Sequence, residues 1–172
     1  DFDFKRHMLQ GDWQAAMGVT LRVPHLTWAT MEGEGKRDFP ASIGYQSTWY
    51  REYSCIEDHF ARVNTAMTRG KACVRIGVIH PVESYWMYYG CVEHTQDKCR
   101  ELEDNFQNII EWLLFAQQDF DFISESLLPA QFVSSDDKKF HIGGMSYDAV
   151  LIPNCVTLRS TTIDALRRFS NG

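Results

Sequence analysis

Four places in the chain hold residue types that could do chemistry. The first is Pro24-His25-Leu26-Thr27-Trp28. Imidazole titrates near neutrality and can hydrogen-bond hydroxyls. An indole three residues on offers a flat apolar face for the C–H side of a sugar ring. The competing reading is that His25 and Trp28 only pack a loop.

The second place is the charged stretch from Glu32 to Asp38. Glycosidases use two carboxylates roughly 5 to 9 Å apart, with the sugar between them. Glu32 and Glu34 are too close in sequence to straddle a sugar, and a solvated loop explains them equally well. They are retained as substrate-binding candidates.

The third place is His80-Pro81-Val82-Glu83-Ser84-Tyr85-Trp86, continuing through Tyr88 and Tyr89. It follows an apolar run that reads as a strand, and ligands of open α/β sheets bind beyond strand ends. So dense an aromatic ridge also suits an interface. Tyr85, Trp86, Tyr88 and Tyr89 are read as contact residues.

The fourth place is Cys155 in Pro153-Asn154-Cys155-Val156-Thr157, between a strand and a helix. A strained nucleophile turn needs small neighbours, as in G-x-S-x-G. They are missing here, so a catalytic thiol ranks last. The six histidines, at 7, 25, 59, 80, 94 and 141, show no HxH or HxxxH spacing, and no metal site is expected. Gly143-Gly144 lacks a phosphate-loop pattern, and neither a nucleotide nor another cofactor is expected.

The elements that must position these groups follow from periodicity. Phe4 to Met17 reads as a helix with Met8, Leu9, Trp13 and Ala16 or Met17 at helical spacing and Gly18 as its C-terminal cap. Val19 to Val23 reads as a strand stopped by Pro24. Residues 25 to 48 are irregular, with Gly33, Gly35, Pro40 and Gly44. A helix from Thr48 or Trp49 to Arg69 carries Tyr53, Ile56, Phe60, Val63 and Met67, and Gly70 ends it.

Cys73 to His80 reads as a buried parallel strand. Thr95 to Gln118 reads as a long helix with Cys99, Leu102, Phe106, Ile109, Ile110 and Leu113 inward. Asp119–Ile123, Phe140–Ile142 and Ala149–Ile152 read as further strands of the same sheet. A helix from Thr161 to Phe169, capped by Ser160 or Thr161, follows. Alternating strands and helices give an α/β fold with a parallel sheet covered on both faces.

With 172 residues, the chain holds one domain or one domain and part of another. Hydrophobic residues make up 44% and charged residues 23%, which excludes disorder and coiled coil. A net charge of -6 argues against a nucleic-acid partner. No apolar run approaches membrane-spanning length. The five cysteines, Cys55, Cys73, Cys91, Cys99 and Cys155, have no CxxC spacing and read as free thiols of a cytoplasmic protein, a secreted parent remaining the alternative. Both ends read as cuts from a longer chain.

Several segments carry a resemblance. Gly18 to His25, then Trp49-Tyr50, Asp58-His59-Phe60-Ala61-Arg62-Val63-Asn64 and Thr68-Arg69-Gly70-Lys71 resemble the end of the catalytic barrel in large glycoside hydrolases of the α-L-rhamnosidase-like kind. Val74 to Pro81 is similar to the strand that follows there. Phe120-Asp121-Phe122-Ile123 and Tyr147-Asp148-Ala149-Val150-Leu151-Ile152-Pro153 resemble the post-barrel domain of family 42 β-galactosidases. That domain is flavodoxin-like, of the class I glutamine amidotransferase type, without the amidotransferase nucleophile.

The resemblance implies two parts. Residues 1–71 would be the last β/α unit of a barrel with its long loop and helix. Residues 72–172 would be an incomplete amidotransferase-like domain that serves assembly and cleft shaping. His25 alone carries over by motif, as a sugar contact. Trp28, Glu32 and Glu34 come from the residue reading. The parent would be a glycoside hydrolase acting on a carbohydrate, with its catalytic carboxylates outside this chain. The fragment would be inactive alone, and a homo-oligomer fits its role. The alternative is a non-catalytic α/β scaffold.

Overall fold

The computed structural model describes residues 3–25, 27–36, 43–133 and 138–171. Leu26, Arg37, Asp38 and Pro40 of the irregular segment lie outside them. The chain divides into two compact units, Asp1–Lys71 and Ala72–Gly172. The class is mixed α/β, with a parallel and an antiparallel sheet among the described residues.

In the first unit, α1 spans Phe4–Ala16 and α2 spans Ser54–Met67. Asp3 caps α1 by accepting the Arg6 N–H at 2.8 Å. Gly18 ends it at φ +96, where a side chain would be strained. The buried face of α1 is not the one its apolar residues suggest. His7, Gly11 and Ala15 face α2, while Leu9, Trp13 and Met17 are exposed. The reason is close approach: a Cβ on Gly11 would sit 2.0 Å from Phe60 Cζ, so only glycine admits that ring. Tyr53, Ile56 and Phe60 form the core with Phe4, Met8, Ile43 and Trp49 against them.

Two expectations fail here. Helix α2 begins at Ser54, because residues 48–53 form successive turns that bring Trp49 and Tyr53 onto Phe4 and His7. Val19–Val23 forms no strand, since a strand needs a ladder partner and the described residues offer none. The segment is pinned instead by Arg22. Its guanidinium donates to Tyr53 Oη at 3.0 Å, lies 3.1 Å from His7 Nδ1 and sits over the Phe60 ring at 4.6 Å.

In the second unit, β1 (Ile76–Ile79) is the centre of a parallel sheet ordered β2-β1-β6, with β2 at Phe120–Ile123 and β6 at Ala149–Leu151. Ile79 pairs with Ile123, and Val78 with both Phe122 and Leu151. The short helix α3 (Val82–Trp86) and the long α4 (Val92–Phe115) connect β1 to β2. Phe106 of α4 packs on His80 and Phe122, on one sheet face. Ile79 and Ile123 point to the other face and share a core with Ala165 of α6 (Ser160–Asn171). Helix α4 starts three residues earlier than its pattern suggests, and ends where Gln117 turns to φ 56.

The strand expected at Phe140–Ile142 exists but does not join the parallel sheet. It is β4, flanked by β3 (Phe132–Val133) and β5 (Met145–Tyr147) in an antiparallel sheet that follows the one-turn helix α5 (Leu128–Gln131). The cause is Gly143-Gly144. Ile142 pairs with Met145, so the two glycines form a two-residue hairpin loop, with Gly143 at φ +55. Phe140 and Tyr147 still enter the common core. Tyr147 Oη donates to Asp121 Oδ2 at 2.9 Å, which joins the two segments that carried the second resemblance. Burial, then that carboxylate, pushes the Tyr147 phenol far up. No helix among the described residues is long and apolar enough to cross a membrane.

Candidate functional site

Helix α4 leads from β1 to β2, and the chain then crosses back over β1 to β6. The switch in direction lies between β1 and β6, where a doubly wound sheet opens a crevice beyond its strand ends. The strands deliver three loops there. Pro81 to Ser84 follows β1, Ser124-Glu125 follows β2, and Pro153 to Thr157 follows β6.

The protein fills this crevice with its own groups. Ser84 is buried, and its Oγ accepts from the N–H of Val156 at 3.0 Å and of Thr157 at 3.1 Å. The same hydroxyl lies 3.1 Å from the Thr157 carbonyl. The buried Glu125 carboxylate accepts the Arg159 N–H at 2.8 Å. Arg159 in turn clasps Glu83 through Nε at 2.7 Å and a terminal nitrogen at 2.6 Å. The N–H groups of Val156, Thr157 and Arg159, which could hold a phosphate or an oxyanion, are thus already used.

Cys155 sits among these groups. Burial pushes its thiol up, and the Glu125 carboxylate adds to that against an opposing hydrogen bond with Ser84. A nucleophilic cysteine needs the reverse, a lowered pKa and an adjacent base. Among the described residues no histidine is hydrogen-bonded to its sulfur. The crevice is built to join three loops.

Beside it, between α3 and α4, lies a cavity of about 260 Å³. His80, Pro81, Tyr85, Leu102, Glu103 and Phe106 line it. The Tyr85 phenol is raised chiefly by its hydrogen bond to Glu103. The walls suit an aromatic or aliphatic group, and the phenol–carboxylate pair could take a hydroxyl or an amine at the mouth.

The four ridge aromatics divide into two pairs. Tyr85 and Tyr88 are half-buried, and Tyr88 carries the carbonyl against which Cys99 Sγ lies at 3.5 Å. Trp86 and Tyr89 project, 63% and 76% exposed, with Met87 between them. In the first unit, His25, Glu32 and Glu34 are exposed and Trp28 is half-buried. The Glu32 N–H donates to Thr30 Oγ1 at 3.2 Å and opens a 3₁₀ turn, Gly33–Lys36, which carries Glu34.

One constellation has no counterpart in the spacing rules applied to the sequence. Cys91, Glu93 and His94 bring a sulfur, a carboxylate oxygen and an imidazole nitrogen within 4.8 Å of one another. Cys-x-Glu-His at a helix start is the signal, visible only once α4 is known to begin at Val92. All five cysteines are free. Comparison with protein-family models, curated proteins and solved structures finds no match to this chain.

Proposed function

We propose that the chain is a segment of a glycoside hydrolase, joining the last β/α unit of its barrel to a non-catalytic, amidotransferase-like assembly module. The observation that carries the reading is the stitched crevice. Ser84, Glu125 and Arg159 occupy the place where a doubly wound domain would do chemistry, and the Cys155 thiol is held away from its reactive form. The order β2-β1-β6 agrees with the flavodoxin-like core that the resemblance implies.

Val19, Leu21 and Val23 expose apolar side chains and have no ladder partner among the described residues, as a barrel strand would without its neighbours. The resemblance makes His25 a sugar contact, and Trp28, Glu32 and Glu34 share its segment. The exposed Trp86 and Tyr89 are the contact of the module with a second copy of the chain. Five free thiols suit the cytoplasm.

The test combines turnover with assembly. The chain alone should leave aryl glycosides and glutamine untouched, before and after Cys155→Ala. Light scattering should find an oligomer that Trp86→Ala with Tyr89→Ala dissociates. Glycoside turnover by the isolated chain would sink the segment reading. A monomer at every concentration would sink the assembly surface.

A further inference from the structure

We propose that Cys91, Glu93 and His94 form a zinc site at the start of α4, independent of the reading above. The donor set is the first argument. Thiolate, imidazole and carboxylate are the three ligand types that zinc takes from proteins, and a thiolate with an imidazole selects against magnesium and calcium.

Geometry is the second argument. Zinc bonds of about 2.0–2.3 Å at tetrahedral angles place ligand atoms about 3.4–3.6 Å apart. The three donors already lie within 4.8 Å of one another on exposed side chains, so small rotations close the set. The backbone beneath them is fixed. Cys91 is the N-cap residue, and the His94 N–H donates to its carbonyl at 3.0 Å while Thr95 Oγ1 donates to the same oxygen at 3.0 Å.

Availability is the third argument. The Cys91 side chain makes no capping bond. Among the described residues, none of the three side chains has a hydrogen bond or ion pair that metal binding would have to break. The ammonium of Lys98, four residues after His94, pairs with Glu101 at 2.8 Å. Deprotonated Cys91 and Glu93 bring two negative charges, which a helix N-terminus favours and a divalent cation neutralises. Three ligands leave the fourth tetrahedral position to water. On binding, the thiol gives its proton to solvent as the sulfur–zinc bond forms, with no change of oxidation state.

The experiment titrates the reduced, metal-free chain with zinc alone, then repeats the titration with cobalt to read the ligands by absorption. One metal per chain is expected, with a thiolate-to-cobalt charge-transfer band and tetrahedral d–d bands. Cys91→Ser should abolish the charge-transfer band. Cys91→Ser, His94→Ala and Glu93→Gln should each weaken zinc by at least about tenfold, the low end of what losing even an outer partner costs.

Cys73→Ser, at another exposed thiol, should change nothing. All three ligands are exposed, so circular dichroism should show the variants folded. Binding that does not saturate, a charge-transfer band that survives Cys91→Ser, or zinc affinity unmoved by His94→Ala would overturn the proposal.

Discussion

Val19 to Pro24 and Val74 to Pro81 are two similar runs of chain. Both alternate or accumulate β-branched residues, both stop at a proline, and both carry a histidine at that proline. Their fates differ completely. Ile76–Ile79 pairs on both sides, with β2 and β6, and Val78 and Ile79 are fully buried. Val19–Val23 pairs with nothing described, and turns its apolar side chains outward and its arginine inward. Extended character is local, but burial needs partners, and one run has two while the other has none among the described residues. Arg22 among aromatic rings holds the first run, and a parallel sheet holds the second.

The largest effect should come from cutting into the second run. Ile79→Ala empties a fully buried position shared with Ile123, Phe140 and Ala165. A loss of about 2–5 kcal/mol is expected. Urea unfolding of the chain reads it, provided the two units are followed by separate probes. A loss below about 1 kcal/mol would mean that the parallel sheet is not where the second unit keeps its stability.

Next comes the Arg22 anchor of the first run. Arg22→Met removes the hydrogen bond to Tyr53 and the contacts with His7 and Phe60, and should cost the first unit about 1–3 kcal/mol. The same site carries a pH dependence. Burial, and then Arg22, lower the His7 pKa from its ordinary 6.5. Above 6.5 both the folded and unfolded chain hold the ring neutral. Below it the unfolded chain takes up a proton that the folded one resists, so the stability of the first unit falls with pH until the folded pKa is passed. In Arg22→Met the His7 titration, followed by NMR, should move back toward 6.5. An unmoved titration would show that burial alone sets it.

The contrast between the runs also explains what could be read in advance. Periodicity locates α1, α4 and α6 to within a few residues, and the strands at 76–79, 120–123 and 149–151, but it starts α2 five or six residues early, where 48–53 form turns. The strand at 140–142 was visible, but its sheet was not. Gly143-Gly144 is a hairpin signal that decides the pairing, and comparison with a phosphate-loop pattern alone does not reveal it. The inward face of α1 was missed because Gly11 and Ala15 are too small to register as apolar anchors. The stitching by Ser84 and Arg159 was beyond sequence, since its partners lie about 70 residues apart. The trio at 91–94 falls outside HxH and HxxxH spacing, because it joins one histidine to a cysteine and a glutamate.

The smallest effect, and the sharpest test of the contrast, belongs to the outward residues of the first run. Leu21 is 73% exposed and Val23 79%. Leu21→Lys removes apolar surface that the folded unit does not cover, so unfolding free energy should stay within about 0.5 kcal/mol. What should change is association, because an unpaired apolar edge templates contact with other chains and a lysine blunts it. Sedimentation at rising concentration should therefore show less self-association, while amide exchange across Val19–Val23 stays fast and across Ile76–Ile79 stays slow. A loss above about 1 kcal/mol, or slow exchange at Leu21, would mean that the first run has a ladder partner after all. The two runs would then differ in which strands they meet and no longer in whether they meet any.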